Sequence, residues 1–308
     1  MASLHHTVLL QEAIDALVTR PSGIYVDGTF GRGGHSRALL TKLDEQARLI
    51  ALDKDPQAAL EATQLASDEP RFEFFHSSFA DLPLRLGAIG VDQVDGILLD
   101  LGVSSPQLDE GRRGFSFLLD GPLDMRMDTT QGETAAVWLS YADAGEIARV
   151  LRDYGEERYA KRIAAAIVAA REEQAIESTT QLAKIISEAN PKWERHKHPA
   201  TRAFQAIRIK INRELEELRD LLACALNLIR VGGRLVVISF HSLEDRIVKR
   251  YMRDMARGEE FPAGVPVTEQ ALNRRLRLVG KAVKASVEEV AENVRSRSAI
   301  MRVAEKIR

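Results

Sequence analysis

The residues best suited to chemistry sit where short β-rich runs give out. Asp27-Gly28-Thr29-Phe30-Gly31-Arg32-Gly33-Gly34-His35 follows the run Ile24 to Val26. A glycine-rich turn after a first parallel strand lets backbone approach a ligand closely, and enzymes using NAD, FAD or S-adenosylmethionine all have one. The dinucleotide fingerprint G-x-G-x-x-G is not met, because Ser36 stands where the third glycine would follow Gly31 and Gly33. Asp27 would repel a pyrophosphate but suits an ammonium, reached directly or through water. Asp53, ending the run Leu49 to Leu52, fits an acceptor for the ribose diol of any adenosine ligand, so it does not choose between cofactors. The plainer alternatives are glycines that only form a turn and an Asp53 that caps the following helix.

Asp100-Leu101-Gly102-Val103-Ser104-Ser105-Pro106 ends the run Gly96 to Leu99. In an adenosylmethionine fold this strand end would lie beside the reactive methyl, where a carboxylate and carbonyls suit an amine substrate. The lone pair of an exocyclic nucleobase amine is delocalised into the ring, so acceptors must hold its hydrogens while the nitrogen pyramidalises, and positioning does most of the work. Methylation at a pyrimidine carbon normally demands a cysteine nucleophile. The one cysteine, Cys224, falls in an Ala/Leu-rich helical stretch and reads as a small core residue. The plain alternative for Asp100 is a capping carboxylate. Ser239-Phe240-His241-Ser242 ends a further run, Leu235 to Ile238, where a lone His241 is more often a cap than a base. No paired acid and base is required when the proton leaves an amine made acidic by methylation.

A different chemistry is offered by His196 to Arg213, which carries Lys197, Arg202, Arg208, Lys210 and Arg213 and no acidic residue. A helix over 201–222 would gather Phe204, Ile207, Ile211, Leu215, Leu218 and Leu222 into one apolar stripe and turn Arg202 and Arg213 away from it. That face suits RNA phosphates, although an ordinary solvated face reads the same way. Arg274, Arg275, Arg277, Arg295 and Arg297 add to the basic content. Charge is uneven along the chain: residues 1–100 hold 8 Lys/Arg against 15 Asp/Glu, in a chain of net charge −2. The later part is therefore the better place for an anionic macromolecule to dock.

The elements that must position these groups follow from the pattern. Runs at Ile24 to Val26, Leu49 to Leu52, Phe72 to Phe75 and Gly96 to Leu99 alternate with helical stretches, which predicts a parallel α/β sheet with its ligands at the carboxyl ends of the strands. The rhythm then stops until Gly232-Gly233 introduces Leu235 to Ile238. Helical stretches at Ala135 to Arg152, Glu156 to Glu173 and Thr179 to Asn190 occupy the gap, so an all-helical lobe is expected between strands four and five. The expected division is 1–134 with 214–308 for the α/β part and 135–213 for the insert. After a helix from Leu243 to about Met255 and a loop with Pro262 and Pro266, Leu276 to Val279 and Ser298 to Ala304 suit an antiparallel pair.

The 308 residues, 45% hydrophobic and 29% charged, exclude disordered and fibrous classes. No apolar run approaches the roughly 20 residues of a bilayer span, and no leader pattern is visible, so a cytoplasmic location without a membrane is expected. One cysteine and seven scattered histidines give no zinc-ligand spacing, and no metal is expected.

The segments His6 to Leu10, Asp27 to Ser36, Asp95 to Gln107, Gly114 to Phe117 with Gly121 to Asp128, Tyr154 to Arg158, His198-Pro199-Ala200-Thr201-Arg202 and Ser239 to Arg250 closely resemble the bacterial MraW/RsmH family. The resemblance runs in order from about His6 to the C-terminus, with no departure at a motif position. It implies a class I S-adenosylmethionine-dependent methyltransferase (Rossmann-like) fold with an inserted helical substrate-recognition domain. The implied reaction is transfer of a methyl group from S-adenosylmethionine to the N4 amine of a decoding-site cytidine of 16S rRNA in the small ribosomal subunit. By the same resemblance Gly33, Gly34 and His35 line the methionine portion of the cofactor, Asp53 takes the ribose and Phe79 lies near the adenine. Asp100 and Gln107 complete the set. Phe79 and Gln107 would otherwise pass for a core aromatic and a surface amide. Asp100 is the expected catalytic group, with the Leu101 to Ser105 backbone helping to orient the amine. His198, Arg202 and His241 are candidates for substrate contact, and a homodimer is compatible with the sequence. The rivals are a nicotinamide-dependent dehydrogenase, a non-catalytic ribosome-assembly factor with a vestigial pocket, and a methyltransferase acting on DNA or protein.

Overall fold

A computed structural model describes residues 7–192, 198–262, 268 and 270–308. His6, His196, Lys197 and Pro266 lie outside the described residues. The chain divides into two compact units, 1–102 with 215–308, and 103–214.

The first unit is built on a sheet of β1 (Ile24–Asp27), β2 (Arg48–Asp53), β3 (Phe72–His76), β4 (Val94–Asp100), β5 (Ile229–Ser239), β6 (Leu276–Leu278), β7 (Val283–Lys284) and β8 (Ile300–Lys306). The strand order is β3-β2-β1-β4-β5-β8-β6, with β7 paired to β8. β3 to β5 along this order are parallel, and β8 runs antiparallel between β5 and β6. The parallel α/β sheet expected from the alternation is therefore present, in the strand order of the Rossmann-like fold that the resemblance implies, and the antiparallel strands at 276–278 and 300–306 extend it.

Alternation along the strands makes two cores, since successive side chains point to opposite faces. Tyr25, Leu49, Ala51, Leu98, Val236 and Ile238 pack on one face against α1 (Leu10–Leu17), α2 (Gly34–Lys42) and α3 (Pro56–Asp68). Val26, Ile50, Leu52, Ile97, Leu99, Leu235 and Val237 pack on the other, under α4 (Leu82–Ala88) and two later helices. Covering on both faces is why these strands read as nearly unbroken apolar runs.

The second unit holds α5 (Ser105–Asp109), α6 (Ala135–Tyr141), α7 (Ala144–Gly155), α8 (Ala160–Glu173), α9 (Thr179–Ala189) and α10 (Thr201–Asn212). The chain returns to the sheet through α11 (Glu214–Leu228), and α12 (Ser242–Arg257) and α13 (Val287–Glu292) follow. The stretch Ala135 to Arg152 is two helices, because Asp143 begins a new one by accepting from the Glu146 amide. Among the described residues no helix is long and apolar enough to cross a membrane.

Two boundaries differ from those expected. The helical unit begins at Val103, so the loop-rich segment 103–134, expected with the sheet, packs with the helices. Phe115, Leu123, Met125 and Met127 are buried in the helical core. Asn212 locks them there: its Oδ1 accepts from the Met127 amide at 2.7 Å and its Nδ2 donates to the Met125 carbonyl at 2.7 Å. The single helix expected over 201–222 is two, α10 and α11, broken at Arg213 in the left-handed conformation (φ 52°). The apolar stripe is real but serves two cores, Phe204, Ile207 and Ile211 in the helical unit and Leu218 and Leu222 beneath the sheet.

Candidate active site

In open α/β sheets the ligand crevice opens where the strand order reverses, beyond the carboxyl ends of the strands. Here that point lies between β1 and β4, and the glycine-rich segment is knitted across it. The Gly28 amide donates to the Leu98 carbonyl at 2.9 Å and the Phe30 amide to the Leu52 carbonyl at 3.0 Å. Phe30 is the plug: its ring is 2% exposed and meets Phe72 and Phe74 with centroids 5.5 Å away. Gly33 is demanded twice over, by a positive φ of 75° as the residue capping α2 and by the Phe30 ring, which a Cβ would approach to 2.7 Å. A Cβ on Gly34 would collide with the Thr7 hydroxyl.

Three carboxylates end the adjacent strands β2, β1 and β4. Asp27 is completely buried; Ser36 Oγ donates to its Oδ2 at 2.7 Å and the Thr29 amide to its Oδ1 at 3.2 Å. Burial pushes its pKa up to about 6. The direct approach of a ligand ammonium expected at Asp27 is thus closed, since the residue has no exposed surface. Ser36, which broke the dinucleotide fingerprint, is the donor this buried carboxylate needs.

Asp53 takes the Gly31 amide on Oδ2 at 2.7 Å and the Asp55 amide on Oδ1 at 2.8 Å, which aims the carboxylate at the glycine loop. Burial nonetheless raises its pKa. It does not cap α3. That task falls to Asp55, whose side chain accepts from the Gln57 amide, with Pro56 in the first turn.

Asp100 is held by its own amide, which donates to Thr29 Oγ1 at 2.6 Å, tying the end of β4 to the glycine loop. Its Oδ2 lies 3.7 Å from His35 Nδ1. Its Oδ1 is shielded from solvent and has no hydrogen-bond partner among the described residues. Burial, then the negative charges of Asp27 and Glu244, hold its pKa well above the ordinary carboxylate range. A capping role is excluded by the helix nearby in sequence, α5, where Ser104 and Gln107 form the capping box.

The remaining expected residues divide. Phe79 begins a short 3-10 turn after β3, and its Cβ would stand 3.2 Å from a Cβ on Gly28, so the structure brings it to the loop. Gln107 belongs to the helical unit, where it is buried and accepts from the Ser104 amide at 2.9 Å; it is no surface amide. His241 is the cap of α12, its ring accepting from the Glu244 amide while Glu244 accepts from the Phe240 and His241 amides. The plainer view of His241 is the one the geometry supports. Cys224 is half-buried at the edge of the core under α11, and burial raises its thiol pKa, the opposite of what a nucleophile needs.

In the helical unit, His198 is exposed and Arg202 lies in the first turn of α10, its guanidinium 3.4 Å from the Glu156 carbonyl. Two further cations of the basic segment are paired: Arg208 forms a two-pronged pair with Glu214 at 2.8 Å, and Lys210 lies 3.4 Å from Glu146. Thr29, Thr7 and Glu244 were not singled out by sequence. Their tasks depend on partners 71, 27 and 144 positions away, a separation that no local spacing reveals.

Similarity to known proteins places the chain in a family. The ribosomal RNA small subunit methyltransferase H of Thioalkalivibrio sulfidiphilus (strain HL-EbGR7) is 56% identical over 308 residues, covering 99% of this chain and 98% of its own length. The protein of the same name from Idiomarina loihiensis (strain ATCC BAA-735 / DSM 15497 / L2-TR) is 55% identical over 307 residues, covering 99% of this chain and 97% of its own. Among solved structures, an rRNA methylase from Streptococcus thermophilus aligns with a TM-score of 0.39 at 12% identity, over 97% of this chain and 93% of that one. With residues 2–307 matching the model of the MraW methylase family, the chain belongs to that family.

Proposed function

We propose that the protein transfers a methyl group from S-adenosylmethionine to the N4 amine of a decoding-site cytidine in small-subunit ribosomal RNA. The observation that carries this reading is the row of carboxylates Asp53, Asp27 and Asp100 around a glycine loop, ending in an Asp100 oxygen with no partner among the described residues. Such a crevice disfavours the pyrophosphate of a dinucleotide and favours a cationic ligand and an amine that donates hydrogen bonds. The names of the relatives supply the ribosomal RNA.

The residues fit the cofactor. Asp53 keeps acceptor capacity beyond its two backbone donors for the ribose hydroxyls. Phe79 stands beside the loop for the adenine, and Gly33, Gly34 and His35 line the methionine portion; the resemblance adds Gln107. When bound, the sulfonium supplies an electrophilic methyl group. Asp100, as the catalytic residue, accepts a hydrogen bond from the amine and holds its nitrogen in line. The helical unit, with His198 and Arg202, grips the RNA, and the target base is reached by flipping or in a locally open strand. His241, given its capping task, positions the loop after β5 rather than touching substrate. A bacterial ribosomal substrate places the protein in the cytoplasm, acting as a monomer or homodimer.

The test is transfer from labelled S-adenosylmethionine to small subunits from cells lacking the protein, alongside naked 16S RNA, with nucleoside mass spectrometry. N4-methylcytidine is expected. Label on carbon five would sink the amine mechanism, and tight cofactor binding without transfer would favour an assembly factor.

A further inference from the structure

His198 is exposed, yet it is held like a structural group. Its ring lies flat on Phe117, with centroids 4.7 Å apart and planes 13° from parallel. Phe117 in turn meets Phe204 edge to face, at 5.5 Å and 80°. Phe204 is 4% exposed and part of the helical core, so the three rings form a column with its foot in the core and its head in water.

The head is fixed in rotation as well as height. His198 Nδ1 accepts from the Ala200 amide at 3.2 Å, and its carbonyl accepts from both the amide and the hydroxyl of Thr201, at 3.0 and 2.8 Å. Beside the column Leu118 is 76% and Leu119 44% exposed. Ser116 Oγ accepts from the amides of both leucines at 3.2 and 3.3 Å, so this apolar corner is folded in place. An exposed aromatic face is thus preorganised, with a cationic residue, Arg202, in the helix turn that follows.

We propose that the Phe117–His198 column is a stacking platform for an unpaired RNA base, His198 offering the outer face and Arg202 a cation for the adjoining phosphate. This rests on the RNA reading above and gives it a location. A flat π-face with a nearby cation matches a nucleobase and its backbone, because every base carries a π-face and stacking tolerates any sequence. The base on the platform is a neighbour of the methylated cytidine or another unpaired nucleotide of the same region, since the platform carries no group for the transfer step.

The test is fluorescence anisotropy with the full chain and a labelled single-stranded RNA of the decoding region, at several salt concentrations. His198→Ala should weaken binding by about ten-fold, the scale of one lost base stack, while His198→Phe should restore it to within about two-fold of wild type. Both should leave the slope of affinity against salt unchanged, because stacking releases no counterions, and since both lose the acceptor for the Ala200 amide, any fall in melting temperature from that loss is common to the two and cannot explain a difference in RNA affinity between them. Unchanged RNA affinity in His198→Ala, or a His198→Phe protein as weak as His198→Ala, would overturn the platform. A His198→Ala protein that binds the RNA normally but no longer binds small subunits would assign the surface to a ribosomal protein and also overturn it. Wild-type protein that binds no RNA at all would overturn the RNA reading itself.

Discussion

At the scale of the residue, the site is governed by what a carboxylate costs when water is removed. Asp27 shows it best. Its pKa rises from 3.8 in a model compound to about 6 in the folded protein, so the folded state holds a proton that the unfolded chain has lost between those values. Stability from this group is complete below about pH 4 and is lost as pH rises through about 6, by on the order of 3 kcal/mol. Asp27→Asn, which keeps an acceptor for Ser36, should remove that loss; denaturant unfolding of both proteins from pH 4 to 8 measures it. Asp53 makes a separate prediction, because its carboxylate is oriented by backbone and is not itself a cap. Asp53→Ala should raise the dissociation constant for S-adenosylmethionine by roughly ten- to a hundred-fold through loss of charge-assisted hydrogen bonds, with little change in melting temperature. Calorimetry showing unchanged affinity would falsify the ribose assignment.

At the scale of the element, what matters is which segments hold irregular backbone in place. The glycine loop is anchored by Phe30 in the core beneath it and by Thr29 across to β4, so its shape is set by the sheet and not by the glycines alone. In the helical unit Asn212, at the end of α10, does the same for 103–134. It spans the buried Met125, whose φ of 62° is unusual for a non-glycine residue, and Met127. Asn212→Ala would leave the Met127 amide and the Met125 carbonyl short of a partner. A destabilisation on the order of 3 kcal/mol is expected, read as a lower denaturant midpoint; a change under about 0.5 kcal/mol, the range of neutral surface substitutions, would contradict the clamp.

At the scale of the molecule, charge is divided between ligand types. The first 100 residues are acidic and carry Asp27, Asp53 and Asp100, while 35 of the 43 Lys/Arg fall later in the chain. Several of those are spent on internal pairs, as Arg208 with Glu214 and Arg302 with Asp245, so the basic content overstates the RNA-facing surface. Arg202 is the candidate singled out by place, in the first turn of α10 beside the exposed His198. Arg202→Ala should weaken RNA binding at low salt and reduce the slope of log affinity against log salt by about one, leaving cofactor affinity intact; an unchanged slope would remove Arg202 from the phosphate contacts.

The sheet, its loops and the existence of an insert are written in local signals: strand periodicity, glycine turns and an interrupted rhythm. The places of Asp53 and Asp100 at the ends of β2 and β4 were legible for the same reason: each closes an apolar run. Phe79, Gln107 and His35 came from resemblance, since nothing in their own neighbourhoods separates them from packing or capping residues. That Asp27 is fully buried, that Asp55 and not Asp53 caps α3, that His241 caps α12 and that 103–134 folds with the helices emerge from the folded chain alone. Those outcomes turn on burial and on hydrogen bonds between groups far apart in the chain, and the free energy of a buried polar group is set by partners that adjacent residues do not specify.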